Sequence, residues 1–183
     1  AFDKSAKIMG LGYPGGPAIE RCARDGDPQA VRLPRPLRGA AHCHFSFSGL
    51  KTAFARHHTR LEKDGKTAED LAASLQAAIA DCLADRTKKA MEKFKANHGL
   101  STLVIAGGVA ANATIFQQLK KEAGRAGFRL SVPPAYLCTD NAAMIAWAAL
   151  ERRELPDALD FEPLPRWPLD PNAAPPPGQG VRS

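Results

Sequence analysis

The clearest chemical signal in this 183-residue chain is a pair of glycines and an asparagine. Gly107-Gly108 follow the apolar tetrad Leu103-Val104-Ile105-Ala106, and Asn112 opens the next amphipathic run. A strand, a turn without side chains and a helix start, in that order, present free N–H groups and the positive end of a helix dipole to an anionic ligand such as a nucleotide. Asn112 suits a contact to a base or ribose, and equally the helix N-cap that asparagine favours. Neither the dinucleotide-binding nor the P-loop consensus is met, so the glycine pair specifies no cofactor by itself. Asp140, in Thr139-Asp140-Asn141, has two readings as well. The run before a helix is a natural N-cap, and the Asp140 carboxylate, at the carboxyl edge of a strand where ligand sites of open α/β sheets gather, can also be a metal ligand. Asp3 and Lys4, at another helix start, need be no more than dipole-compensating and solvated charges.

Other constellations are weaker. His42-Cys43-His44 with His57-His58 invites a zinc reading, but no H-E-x-x-H or C-x-x-C spacing accompanies it to close a four-ligand site. The run Phe45-Ser46-Phe47-Ser48-Gly49 lacks the leading glycine of a hydrolase nucleophile elbow. The cysteines at 22, 43, 82 and 138 read as reduced thiols of a cytoplasmic protein.

Charge narrows the partner class. Lys and Arg total 25 against 19 Asp and Glu. Between Pro28 and Leu61 there is no acid, while Arg32, Arg35, Arg38, Lys51, Arg56 and Arg60 together equal the net charge of +6. A focused basic stretch suits a polyanion such as RNA, though it also reads as a solvated basic face. Composition, 44% hydrophobic and 24% charged, excludes wholesale disorder. No apolar run approaches the roughly 20 residues of a membrane helix.

These groups must be held by a helix-rich α/β fold with few strands. Phe2, Ala6 and Met9 predict a short amphipathic helix stopped by Gly10 and Gly12. Pro17 suits the first turn of the next helix, which carries Ile19 and Cys22. Residues 25–44 read as an extended basic loop, and Leu50, Phe54 and Leu61 as one side of a helix. Thr67-Ala68-Glu69-Asp70 predicts a capping box opening a long core helix to about Asn97, with Leu71, Leu75, Ile79, Cys82, Ala90 and Phe94 inward. Then come a buried strand at 103–106, a helix with Ile115, Phe116 and Leu119 inward, a strand at 130–132, and a helix carrying Ile145, Trp147 and Leu150. This alternation calls for parallel strands. Residues 1–155 are read as one lobe. Eight prolines between Pro156 and Ser183 predict an extended tail, disordered beyond about 170.

Taken in order, the wording is specific: Ala1-Phe2-Asp3-Lys4-Ser5-Ala6-Lys7, Tyr13-Pro14-Gly15-Gly16-Pro17, Phe45 to Thr52, Ala106-Gly107-Gly108-Val109-Ala110-Ala111-Asn112, Cys138 to Ala146, and Pro165-Arg166-Trp167-Pro168-Leu169. The chain resembles the TsaD family of tRNA adenosine threonylcarbamoyltransferases, once labelled Gcp or O-sialoglycoprotein endopeptidase. The resemblance implies a two-lobed actin-like ATPase (ASKHA) fold with the site in the cleft. It implies transfer of threonylcarbamoyl from threonylcarbamoyl-AMP to N6 of the adenine beside the anticodon, in tRNAs reading codons that begin with A. By the same resemblance, Asp3, Gly16, Glu20 and Asn112 contact the adenylate, Gly107 and Gly108 are the adenosine-side glycines, and Asp140 is a ligand to Fe2+ or Zn2+. No catalytic residue is implied. The implied partners are tRNA, a paralogous TsaB-like subunit and a TsaE-like ATPase, without a membrane.

The family's upstream half, with its H-x-x-x-H metal pair, does not occur in these residues. The chain is therefore expected to be a C-terminal portion that binds metal weakly and is inactive alone. Two alternatives stand beside the transferase: a non-catalytic RNA-binding or scaffold module, and an ATP-dependent kinase of the actin-like superfamily. The latter shares the Gly-Gly turn but does not need the Phe-Ser-Phe-Ser-Gly run. A metallopeptidase lacks a general-base Glu between histidines.

Overall fold

The structure is a computed structural model that describes residues 1–139, 141–155, 160, 162, 170 and 172. Two compact units divide at Asp140/Asn141. Asp140, the Pro165–Leu169 motif and nearly all of the proline-rich tail lie outside the described residues.

The first unit is built around one helix. Helix α4 (Ala68–His98) starts at the expected capping box: Asp70 N donates to the Thr67 hydroxyl, and Thr67 N donates to the Asp70 carboxylate. From Leu71 to Ala80 it is buried on nearly all sides, as suits a helix that others surround. Against it pack α2 (Gly15–Cys22) and α5 (Ala113–Arg125), with α3 (Leu50–His58) and, through α2, α1 (Phe2–Ile8). Ile19, Leu50, Phe54, Leu71, Leu75 and Ile115 form the centre of the core. Leu61 lies in the turns after α3 and is half-buried.

Two expectations about burial need correction. Ala90 and Phe94 are exposed, and Met91 takes the inward position near the end of α4, in a small cluster with Ala123 and Phe128. At 31 residues the helix is about 46 Å long and outruns the elements that cover it. The strand expected to be buried, β1 (Thr102–Val104), is covered only at Leu103, which is half-buried, while Val104 is 63% exposed. It pairs in parallel with β2 (Arg129–Ser131), with Leu103 opposite Leu130. A two-stranded sheet with a helix against one face leaves its alternate residues in solvent.

The basic loop also departs from its expected form. Turns interrupt it at 28–30 and 36–39, and polar side chains of α4 hold it along its length. Asp27 N donates to Asp70, Val31 N to the Ser74 hydroxyl, Gly39 N to Asp85, and the Arg86 guanidinium to the Ala40 and His42 carbonyls. Residues 27–42 thus run beside only 70–86, about 24 Å of helix.

The second unit contains α6 (Ala142–Glu151), whose N-cap Asn141 accepts from Met144 N. No residue of α6 is buried. All four cysteines are free thiols, and no helix among the described residues is long and apolar enough to cross a membrane.

Candidate adenylate site

Helix α1 places Asp3 on its outer face, where Asp3 Oδ1 accepts from Gly15 N at 2.9 Å. Only glycine fits there: a Cβ on Gly15 would lie 2.5 Å from the Asp3 Cα. This close approach seats the start of α2 on α1, and Gly16, Pro17 and Glu20 follow along α2. Glu20 then reaches across 93 residues, its carboxylate accepting from Ala113 N at 2.8 Å, the first N–H of α5. A negative charge at that end of a helix is favourably placed.

Asn112 is 5% exposed and caps α5, its Oδ1 accepting from Ile115 N at 3.0 Å. Its Nδ2 donates to Gln76 Oε1 at 2.8 Å, and Gln76 Nε2 donates to the Thr114 hydroxyl at 2.6 Å. The cap reading of Asn112 is therefore realised. An amide has two donors and two lone pairs, so one N–H and one lone pair remain beyond these two bonds. Between Gly107 and Asn112 the chain does not enter α5 directly. Gly107 turns it at φ 85°, and a short 3-10 helix (Gly108–Ala111) intervenes. The glycine pair thus stands one turn ahead of the α5 N-terminus, whose first N–H is already taken by Glu20.

Asp3, Gly16, Glu20, Gly108 and Asn112 line one cavity of about 440 Å³, together with Tyr13 and Thr139. That volume falls within the range of roughly 300–1,000 Å³ usual for small-molecule sites. Three stretches, 1–20, 108–112 and Thr139, meet here; Gly107 is not part of the wall. The site has a carboxylate at each of two walls, an amide at the third and little side-chain bulk at the glycines. Such an arrangement can grip sugar hydroxyls and a flat ring.

The family described as TsaD: tRNA N6-adenosine threonylcarbamoyltransferase matches residues 1–147. The chain belongs to the TsaD family. A TsaD relative from Rhodospirillum rubrum, named tRNA N6-adenosine threonylcarbamoyltransferase, is 54% identical over 98% of this chain and 51% of its own length. Relatives of the same name from Novosphingobium aromaticivorans and Brucella suis are 54% and 51% identical over 100% of this chain. The chain spans about half the length of these TsaD proteins.

No three His, Cys, Asp or Glu side chains among the described residues are grouped to hold an ion, and the expected ligand Asp140 is outside them. His42 and His44 stand with ring centroids 4.9 Å apart, without further donors grouped about them. Gln76 and Thr114 do not line the cavity but support Asn112 from behind, a role not legible in the sequence, although a polar Gln within the largely apolar stretch Leu71–Ile79 is a usable sign of a buried hydrogen bond.

Proposed function

We propose that this chain is the adenylate-holding portion of a tRNA N6-adenosine threonylcarbamoyltransferase, with the ASKHA fold completed by the rest of the protein. The observation that carries this reading is the convergence of Asp3, Gly16, Glu20, Gly108 and Asn112 on one cavity in a chain of this family. In the reaction, N6 of the tRNA adenine attacks the carbamoyl carbon of threonylcarbamoyl-AMP. The new C–N bond forms, the C–O bond to the phosphate breaks, AMP leaves, and the amine loses a proton. Asp3 and Glu20 hold ribose hydroxyls, Asn112 offers its remaining N–H and lone pair, and Gly16 and Gly108 admit the adenosine to the backbone. Anchoring the non-reacting adenosine in this way orients the reacting carbonyl.

A divalent metal, Fe2+ or Zn2+, belongs to the reading with Asp140 as one ligand. One carboxylate is not a site, so no step here runs through the metal. TsaB-like and TsaE-like partners and a cytoplasmic location go with the same reading. In the test, full-length protein, tRNA, the adenylate donor and the partner proteins are combined and the nucleosides analysed by mass spectrometry. Threonylcarbamoyladenosine is expected, and none from the 183-residue chain alone. Absence of product from the full set would sink the assignment, and phosphorylation of a small substrate by ATP would transfer it to the kinase class.

A further inference from the structure

The reaction joins two substrates, and the cavity described above accommodates one. A second hollow of about 430 Å³ adjoins it, lined by Asp3, Lys4, Lys7, Gly10, Gly12 and Tyr13. Asp3 and Tyr13 belong to both walls. The chemistry of the second hollow differs from that of the first. Lys4 and Lys7 stand one turn apart on the exposed face of α1, and among the described residues neither is in an ion pair. Gly10 and Gly12 leave its floor as bare backbone, since a Cβ on either would meet nothing within 4 Å. Tyr13 is 87% exposed, so its ring stands free between the two hollows. Among the described residues the Tyr13 ring meets no other ring or cation and the two ammonium groups meet no carboxylate. An unstacked nucleotide needs both: a ring to stack on and cations for its phosphate.

Resting on the adenylate reading of the first cavity, we infer that this second hollow takes one nucleotide of the acceptor tRNA. Its base lies on the Tyr13 ring, and its phosphate is held by Lys4 and Lys7. Tyr13 is then the partition between donor and acceptor, and Lys4 and Lys7 are positioning residues for the RNA.

The test uses full-length protein with its partner proteins, a fluorescent anticodon stem-loop and AMP. Because all three side chains are exposed, Lys4→Ala/Lys7→Ala, Tyr13→Ala and Tyr13→Phe are expected to leave the thermal midpoint unchanged. Lys4→Ala/Lys7→Ala should weaken stem-loop binding about tenfold or more at low salt and flatten the slope of log affinity against log salt by about 0.7 to 0.9, the value for one phosphate. Tyr13→Ala should cost about 5- to 100-fold and Tyr13→Phe less than about twofold, because the ring does the stacking. AMP affinity of the lysine variant should match wild type, since neither lysine lines the first cavity. Unchanged RNA affinity and salt slope in the lysine variant, or equal losses for Tyr13→Phe and Tyr13→Ala, would overturn the inference. A wild-type protein that binds the stem-loop but not AMP would instead overturn the reading of the first cavity, and the pairing of the two sites with it.

Discussion

Asn112 shows how one amide serves the helix and the cavity together. Removing it by Asn112→Ala takes away the α5 cap and leaves Gln76 Oε1 buried without its donor, a loss of about 2–4 kcal/mol. Asn112→Asp is a different experiment. The carboxylate still accepts from Ile115 N, and Gln76 can turn its amide over, so that Nε2 donates to the carboxylate and Oε1 accepts from the Thr114 hydroxyl. Stability should therefore stay within about 1 kcal/mol of wild type. The new negative charge in the cavity should nevertheless weaken AMP binding about tenfold. Urea midpoints and AMP titration of both variants separate the two roles; equal loss of stability would show that Gln76 cannot turn.

At the scale of elements, the partnership between the 26–44 loop and α4 explains why the basic stretch is less bare than its composition suggests. Arg35 pairs with Asp81 at 3.0 Å, and Arg86, 2% exposed at its side chain, pairs with Asp85 while its other N–H groups hold the loop carbonyls. Arg32, Arg38, Lys51, Arg56 and Arg60 remain exposed. Arg86→Ala should free the loop, cost about 1.5–3 kcal/mol, and speed tryptic cleavage at Arg32, Arg35 and Arg38. Unaltered cleavage would mean that the loop is held without it. The other end of the ladder is pH-sensitive. The Asp27 and Thr67 N–H groups donate to Asp70 and hold its carboxyl below the usual range. Burial raises the Asp85 carboxyl, but the bonds from Arg86 and Gly39 outweigh it and the net direction is again downward. A carboxyl lowered in the folded state stabilises fully above its unfolded value, about 3.9, and less as pH falls through its folded one. Between pH 5 and pH 3 wild type should lose more stability than Asp70→Asn, measured by urea midpoints; parallel losses would count against the Asp70 contacts.

On the scale of the whole molecule, apolar surface is the unresolved demand. Ile145, Trp147 and Leu150 of α6 are 72%, 67% and 66% exposed, and a helix apolar on every side is one that ordinarily lies buried. The chain spans about half the length of its relatives. Purified alone it should bind the dye ANS and self-associate in sedimentation. Ile145→Lys/Leu150→Lys should reduce both, and full-length protein should show neither. Dye binding unaffected by the double substitution would place the exposed apolar surface elsewhere, for example at Val104 and Tyr136.

Whatever depends on near neighbours was legible in the residues alone. The Thr67–Asp70 box, the Asn112 cap, a cap within Thr139-Asp140-Asn141 and the stop after α1 follow from side chains a few positions apart, the parallel strand pair follows from the alternation of strand and helix, and the ordered motifs were enough to indicate the family. Tertiary structure decided the rest. The seat of Gly15 on Asp3, the reach of Glu20 to Ala113 and the Asn112–Gln76 bond join residues 12, 93 and 36 positions apart. No local period encodes such meetings; they exist because α1, α2 and α5 are held in place around α4. The same cause exposed Ala90 and Phe94 and buried Met91, since a periodic stripe states which residues share a face but not how far along the helix a neighbour extends.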